Sequence, residues 1–166
     1  MSEEKNIVIE EATEKDLEAI IDIEKSSFPE YPYSIEIFKT LLKEYGRYFL
    51  VSKIKGRVIG YACGRIFREK FGEIISIAVA PDFRRRGIGR RLMLELESRF
   101  KNDSIKFTRL EVSVKNDVAI KFYESLGYEI FKLTKNYYPD GSDAFTMIKF
   151  LEEHEGLSDL GLRRVK

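Results

Sequence analysis

The chain has 166 residues, with 29 lysines and arginines against 28 aspartates and glutamates, a formal net charge of +1, and 43% of its residues are hydrophobic. That length makes one domain, its apolar share is large enough for a real core and argues against disorder, and the charge balance argues against nucleic-acid binding and attachment to an anionic membrane. One cysteine (Cys63) and one histidine (His154) exclude an intramolecular disulfide, a Cys/His zinc cluster and a Cys–His dyad.

From the N-terminus, MSEEKNIVIEE lacks a basic end followed by an apolar stretch, and no apolar run approaches the ~18 residues of a membrane span. The chain reads as soluble and cytoplasmic. Residues Asn6 to Ala12 alternate as an edge-like strand. Thr13 caps a helix through Phe28, with Leu17, Ile20, Ile21 and Phe28 at helical spacing. Pro29 and Pro32 bracket the loop PEYPY, and Ser34 opens a second helix that stops at Gly46. Three strand-like runs follow, RYFLVSKI, RVIGYACGRIF and GEIISIAVA, the last apolar on both faces and so expected to be central and covered on both sides. A helix with Ile88, Leu92, Leu96 and Phe100 on one stripe comes next. Then come the strand FTRLEVSV, a helix aligning Ala119, Phe122, Tyr123 and Leu126, and two strands separated by the turn NYYPDGSD. This order predicts an α/β fold, a mixed sheet with helices on its faces and one parallel crossover. Residues 1–151 make the domain; 152–166, which include His154, make a charged, loosely attached tail. That placement nearly excludes a Ser–His–Asp arrangement. Catalysis then rests on carboxylates, tyrosines, backbone groups or a bound cofactor.

The most informative stretch is SIAVAPDFRRRGIGRRLMLELE, where a buried strand passes through a Pro-stopped turn into a Gly-rich, basic helix start. Unpaired N–H groups and the positive end of the helix dipole suit a phosphate there. Gly87 and Gly89 let the backbone approach a bulky anion, and Arg84, Arg85, Arg86 and Arg90 add charge, a cradle suited to two adjacent phosphates. The turn matches neither the P-loop nor the dinucleotide fingerprint, and the bland alternative is a solubilising basic loop before an ordinary helix.

Four segments in the same order resemble the GNAT superfamily of N-acetyltransferases. They are FPEYPYS, ISIAV followed by P-x-x-R-R-R-G-I-G, LEVSVKNDVAIKFYESLGY, and NYYPDGSDAFTM. The last two are similar to the ribosomal-protein-alanine (RimI-type) and the archaeal and eukaryotic protein N-terminal acetyltransferases, and FPEYPYS resembles the archaeal ones most. The resemblance implies a GNAT fold of about seven strands flanked by about four helices. It implies acetyl-CoA as donor, its pantetheine arm paired with the strand backbone at Ile77, Ala78 and Val79, and its pyrophosphate held by the turn from Arg84 through Gly87, Ile88 and Gly89 to Arg90. Asn116 and the segment Tyr123, Glu124 and Ser125 would line the rest of the coenzyme path. Asn116 also opens its helix and reads equally as a cap.

The chemistry is attack of an amine on a thioester, which requires a neutral amine and a proton for the leaving thiolate. An α-amine with a pKa of about 8 costs about 1 kcal/mol to deprotonate at pH 7, and a lysine about 4.6 kcal/mol. Glu111 is an isolated glutamate in a strand expected to be buried, which is costly unless it is paired or faces a cleft. It reads either as the base, where the RimI-type pattern places it, or as an edge residue in water. Glu73 is the second carboxylate; its alternative is a solvated strand end. Tyr123 reads as core by its stripe, and the resemblance implies that its hydroxyl is the general acid. Tyr137 and Tyr138 read as a hairpin turn, and the resemblance makes them a clamp on a peptide's first residues, facing Glu30 and Tyr31. No metal is expected. The expected activity is acetyl transfer to the N-terminal α-amine of proteins, ribosomal proteins among them. Acetylation of a lysine or small amine, or a silent CoA-binding module, are the alternatives. The sequence leaves the oligomeric state open.

Overall fold

Alternating side chains at the start of the chain form strand β1 (Ile7–Glu11), which buries Ile7 and exposes Val8 at one edge of the sheet. A computed structural model describes residues 6–152; the tail expected over 152–166 lies outside the described residues except for Glu152. Asp16 accepts a hydrogen bond from the Thr13 N–H at 2.9 Å, so a single 3-10 turn at Glu14–Asp16 precedes helix α1 (Leu17–Ser27). Lys53 pairs with both Asp16 and Glu10, at 3.0 and 2.8 Å, and fixes this corner to the next strand. Helix α1 is shorter than expected. Phe28 lies beyond its end, 37% exposed, because the chain turns there toward Pro29. The Ser34 hydroxyl caps helix α2 (Ile35–Tyr45) by accepting from the Ile37 N–H. Gly46 does end the helix, but through a 3-10 turn (Gly46–Tyr48) and not a left-handed glycine.

Strands β2 (Phe49–Ile54), β3 (Arg57–Phe67) and β4 (Phe71–Val79) form an antiparallel meander. Lys55 and Gly56, both at positive φ, make the two-residue hairpin between the first two. Helix α3 (Ile88–Asn102) then crosses to strand β5 (Phe107–Ser113), which runs parallel to β4. Helix α4 (Asp117–Ser125) leads to β6 (Glu129–Thr134) and β7 (Ala144–Phe150), and the sheet order is β1-β2-β3-β4-β5-β7-β6. One apolar cluster packs Leu92, Met93, Leu96 and Phe100 of α3 against Leu50, Ile59, Ile74, Leu110 and Met147. The second packs Ile20, Phe38 and Leu41 of α1 and α2 against Phe49, Val51, Tyr61 and Cys63. Burial of both faces accounts for the seven-stranded mixed sheet with four helices that was expected. No helix among the described residues is long and apolar enough to cross a membrane.

β4 is central, as expected, yet it is not fully covered: Glu73, Ile75, Ile77 and Val79 are only half-buried. These residues line an open cleft, and a bulge interrupts the strand beside it. Cys63 pairs with Ser76 and Gly64 with Ile74, which leaves Ile75 as an extra residue on the face that Ser76 also takes. Ile74 therefore packs with the α3 cluster, and so do Ile77 and Val79, while Ile75 and Ala78 pack with the α1–α2 cluster. Gly64 marks the tightest contact beside the bulge, where a Cβ would sit 2.5 Å from the Glu73 carbonyl oxygen and 3.1 Å from the Phe100 ring. Gly64→Ala is expected to lower unfolding stability by about 1–3 kcal/mol, the cost of overpacking a rigid core, in a denaturant titration; an unchanged midpoint would contradict this packing.

Candidate active site

β4 and β5 pair only at Gly72 with Thr108 and Glu73 with Arg109. Beyond that point the parallel strands diverge, and a cleft of about 1400 Å³ opens between them. Its walls include Glu73 to Val79 of β4, Glu111 to Ser113 of β5, the starts of α3 and α4, and two loops. The backbone of β4 thus presents a strand edge toward the cleft at Ile77, Ala78 and Val79, a ready partner for an extended amide-bearing chain.

At one end lies the basic turn. Gly87 caps α3 with φ of 77°, a left-handed backbone that only glycine adopts without strain, and a Cβ there would meet nothing within 4 Å. Conformation, not space, therefore requires Gly87. At Gly89 a Cβ would make ordinary contact with Phe122, at 3.4 Å. No side chain caps the helix, and its first backbone bond runs from the Arg91 N–H to the Gly87 carbonyl, so the preceding N–H groups at Ile88, Gly89 and Arg90 keep their donors for another acceptor. Arg85 and Arg90 line the cleft and form no ion pair among the described residues. Arg84 lines the cleft as well, and Arg86 does not. Arg84 is exposed and held in place: its Nε donates to the Val79 carbonyl at 2.9 Å and its guanidinium to the Ser27 hydroxyl at 3.1 Å. Arg86 stacks over Phe83, 5.2 Å from the ring centre, and is not in the cleft wall. The uncapped helix end and the open strand edge together fit a diphosphate joined to an amide-bearing arm.

The start of α4 closes the same side. Asn116 Oδ1 accepts from the Ala119 N–H at 3.1 Å, so it caps its helix while lining the cleft. Phe122, Tyr123 and Ser125 are also in the wall, with the Ser125 hydroxyl donating to the Phe122 carbonyl; Glu124 is exposed and outside it. Tyr123 packs edge-on to Tyr128 with ring centres 5.9 Å apart, and its hydroxyl makes no hydrogen bond among the described residues. Burial, and then the neighbouring Tyr138, raise its pKa well above the ordinary phenol value, so it keeps its proton at any working pH.

Both expected carboxylates reach the middle of the cleft. Neither is alone. Glu111 accepts from Arg109 at 2.9 and 2.8 Å and from the Thr146 hydroxyl at 3.3 Å, its side chain 11% exposed. The pairing meets the condition that a buried glutamate requires, and the side chain is not the edge residue in water. Glu73 accepts from Arg65 Nε at 2.7 Å. Because Arg65 faces Glu73 across β3–β4, and Glu73 faces Arg109 across β4–β5, four charges of alternating sign form a row at the base of the fork.

At the far end, Glu30 and Tyr31 of the loop between α1 and α2 share the cleft wall with Tyr137 and Tyr138 of the β6–β7 loop. The Tyr137 and Tyr138 N–H groups both donate to the Ser142 carbonyl, which makes this loop a closed turn with its rings edge to face. Burial first, then Tyr137 and Tyr33, push the Tyr138 hydroxyl up to about 12. Four wall or second-layer residues escaped the sequence reading: Tyr33, Glu24, Arg65 and Arg109. The signals existed. Glu24 continues the Leu17–Ile20–Ile21 stripe of α1, and Arg109 lies two residues before Glu111 on one strand face.

A cleft with a phosphate-receiving end, an acid–base centre and an open groove suits group transfer from a phosphate-bearing carrier. Known proteins make the class specific. The acetyltransferase (GNAT) family model matches residues 17–128. An N-alpha-acetyltransferase of Sulfolobus acidocaldarius is 38% identical over 155 residues, covering 86% of this chain and 91% of the relative. The ribosomal protein bS18-alanine N-acetyltransferase of Salmonella typhimurium is 33% identical over 126 residues, covering 75% and 82%. The crystal structure of Ard1 from Thermoplasma volcanium superimposes with a TM-score of 0.85 at 34% identity, covering 89% of this chain and 99% of that one. The chain belongs to the GNAT acetyltransferase family. It is an N-acetyltransferase that uses acetyl-CoA as co-substrate.

Proposed function

We propose that the enzyme acetylates the N-terminal α-amine of proteins, with Glu111 as base, Glu73 assisting and Tyr123 as acid. The observation that carries this reading is the groove. Tyr31, Tyr137 and Tyr138 wall an open approach that ends at the two carboxylates, a shape suited to the first residues of an extended chain. The names of the Sulfolobus and Salmonella relatives support the same acceptor, and the second brings ribosomal proteins forward as targets, hence the cytoplasm as the place of action.

Acetyl-CoA supplies an activated acyl group as a thioester. The turn at Arg85, Gly87 and Arg90 and the edge of β4 at Ile77 to Val79 bind and aim it, with Asn116 and Ser125 along its path. Glu30, Tyr31, Tyr137 and Tyr138 hold the acceptor backbone. Glu111, oriented by Arg109 and Thr146, takes the amine proton directly or through a water; the demand on it is small, since an α-amine needs only about 1 kcal/mol to become neutral at pH 7. Tyr123, kept protonated by its burial, gives a proton to the departing thiolate.

Two peptides test the acceptor. One has a free N-terminus and no lysine; the other is blocked at its N-terminus and carries one internal lysine. Acetylation of the first is expected, and acetylation of the second alone would overturn the proposal. A protein whose melting temperature rises with acetyl-CoA but which turns over neither peptide would be a binding module.

A further inference from the structure

We infer that Glu24 is a positioning residue for the acceptor side of the cleft, fastening the loop between α1 and α2 to the sheet. Glu24 ends the apolar stripe of α1 and is 1% exposed. A buried carboxylate is costly unless it is paired or well supplied with donors, and no cation pairs with Glu24 among the described residues. Three neutral donors serve it instead. Its Oε2 accepts from the hydroxyls of Tyr61 and Ser76, the latter at 3.0 Å, and its Oε1 accepts from the Tyr33 N–H at 3.0 Å.

The two oxygens have different tasks. Oε2 is anchored to the sheet, because Tyr61 is fully buried in β3 and Ser76 sits in β4 immediately after the bulge. Oε1 reaches the loop. Pro29 and Pro32 have no N–H to give, and the Tyr33 bond is the sole hydrogen bond made by any residue from Pro29 to Tyr33 among the described residues. The hydrogen bonding that ties the segment carrying Glu30 and Tyr31 to the body of the protein therefore runs through one carboxylate, beside the edge-on contact of the Tyr33 ring with Phe38. A charged acceptor gives the stronger bond, which explains a glutamate where an apolar residue would suit the stripe.

The role rests on the acceptor reading of this groove. In the full-length enzyme, Glu24→Ala is expected to raise the KM for the peptide by about ten- to a hundredfold, the worth of one bond to a charged group. Acetyl-CoA affinity, set at the α3 and α4 end, should stay within about twofold. Glu24→Gln, whose amide oxygen can still accept from Tyr33, should recover most of the loss. An unchanged peptide KM, or equal losses for peptide and acetyl-CoA, overturns the role. Amide hydrogen exchange of the unsubstituted protein tests the same bond without a substrate or a variant. The Tyr33 N–H should exchange far more slowly than that of Tyr31, and equal rates would overturn the anchor. Failure of the wild-type enzyme to acetylate any peptide would instead refute the acceptor assignment, leaving the exchange result to decide the anchor.

Discussion

Glu111→Gln is expected to lower kcat by about tenfold near pH 7, the share that deprotonating an α-amine there requires. The pH dependence of the loss is more telling than its size. Below a pH of about 8 an α-amine arrives mostly protonated, so the wild-type enzyme depends on a proton acceptor. Above it, the amine arrives neutral, and the variant should regain rate toward the wild type as pH rises. The glutamine keeps the shape of Glu111 and can still accept from Arg109 and Thr146, so binding of both substrates should survive. A variant whose profile is merely scaled down, with the same shape as the wild type, would remove Glu111 as the base and pass the role to Glu73.

Replacing Arg85 and Arg90 together by alanine is expected to weaken acetyl-CoA binding by about a hundredfold or more, two charge-assisted contacts at about 1.5–3 kcal/mol each. Both side chains line the cleft beside the uncapped start of α3. The loss should appear in the KM for acetyl-CoA and in the thermal shift it produces, with the protein's own melting temperature little changed. Arg84→Ala should behave differently. That side chain joins the Val79 carbonyl to Ser27, so its removal loosens the junction of β4 and α1 more than it removes charge from the cleft. If the double variant binds acetyl-CoA as the wild type does, the basic turn is not the diphosphate site.

Helix faces and caps were legible in the sequence because their cues are local. The Ile88–Leu92–Leu96–Phe100 stripe, Ser34 and Asn116 each act within a few residues of their own position. The cleft was legible in outline, through the basic turn and the tyrosine-bearing loops. Its electrostatics were not. Arg65 meets Glu73 only after a hairpin returns the chain, and the pairing of Glu73 with Arg109 requires a parallel crossover through all of α3. Arg84, Arg85 and Arg86 look equivalent in a run of three, yet Arg84 and Arg85 line the cleft while Arg86 lies over Phe83. The bulge at Ile75 left no periodic trace, since a run of apolar residues reads the same whether or not one of them is unpaired. Phe28 was assigned to helix by spacing alone, and the proline after it decided otherwise.

That unpaired isoleucine kinks one strand without disturbing which layer the later side chains enter. Ile75 and Ser76 share one face because of it, so without Ile75 the strand would alternate regularly, with Ser76 and Ala78 still toward α1 and α2 and Ile77 and Val79 still toward α3.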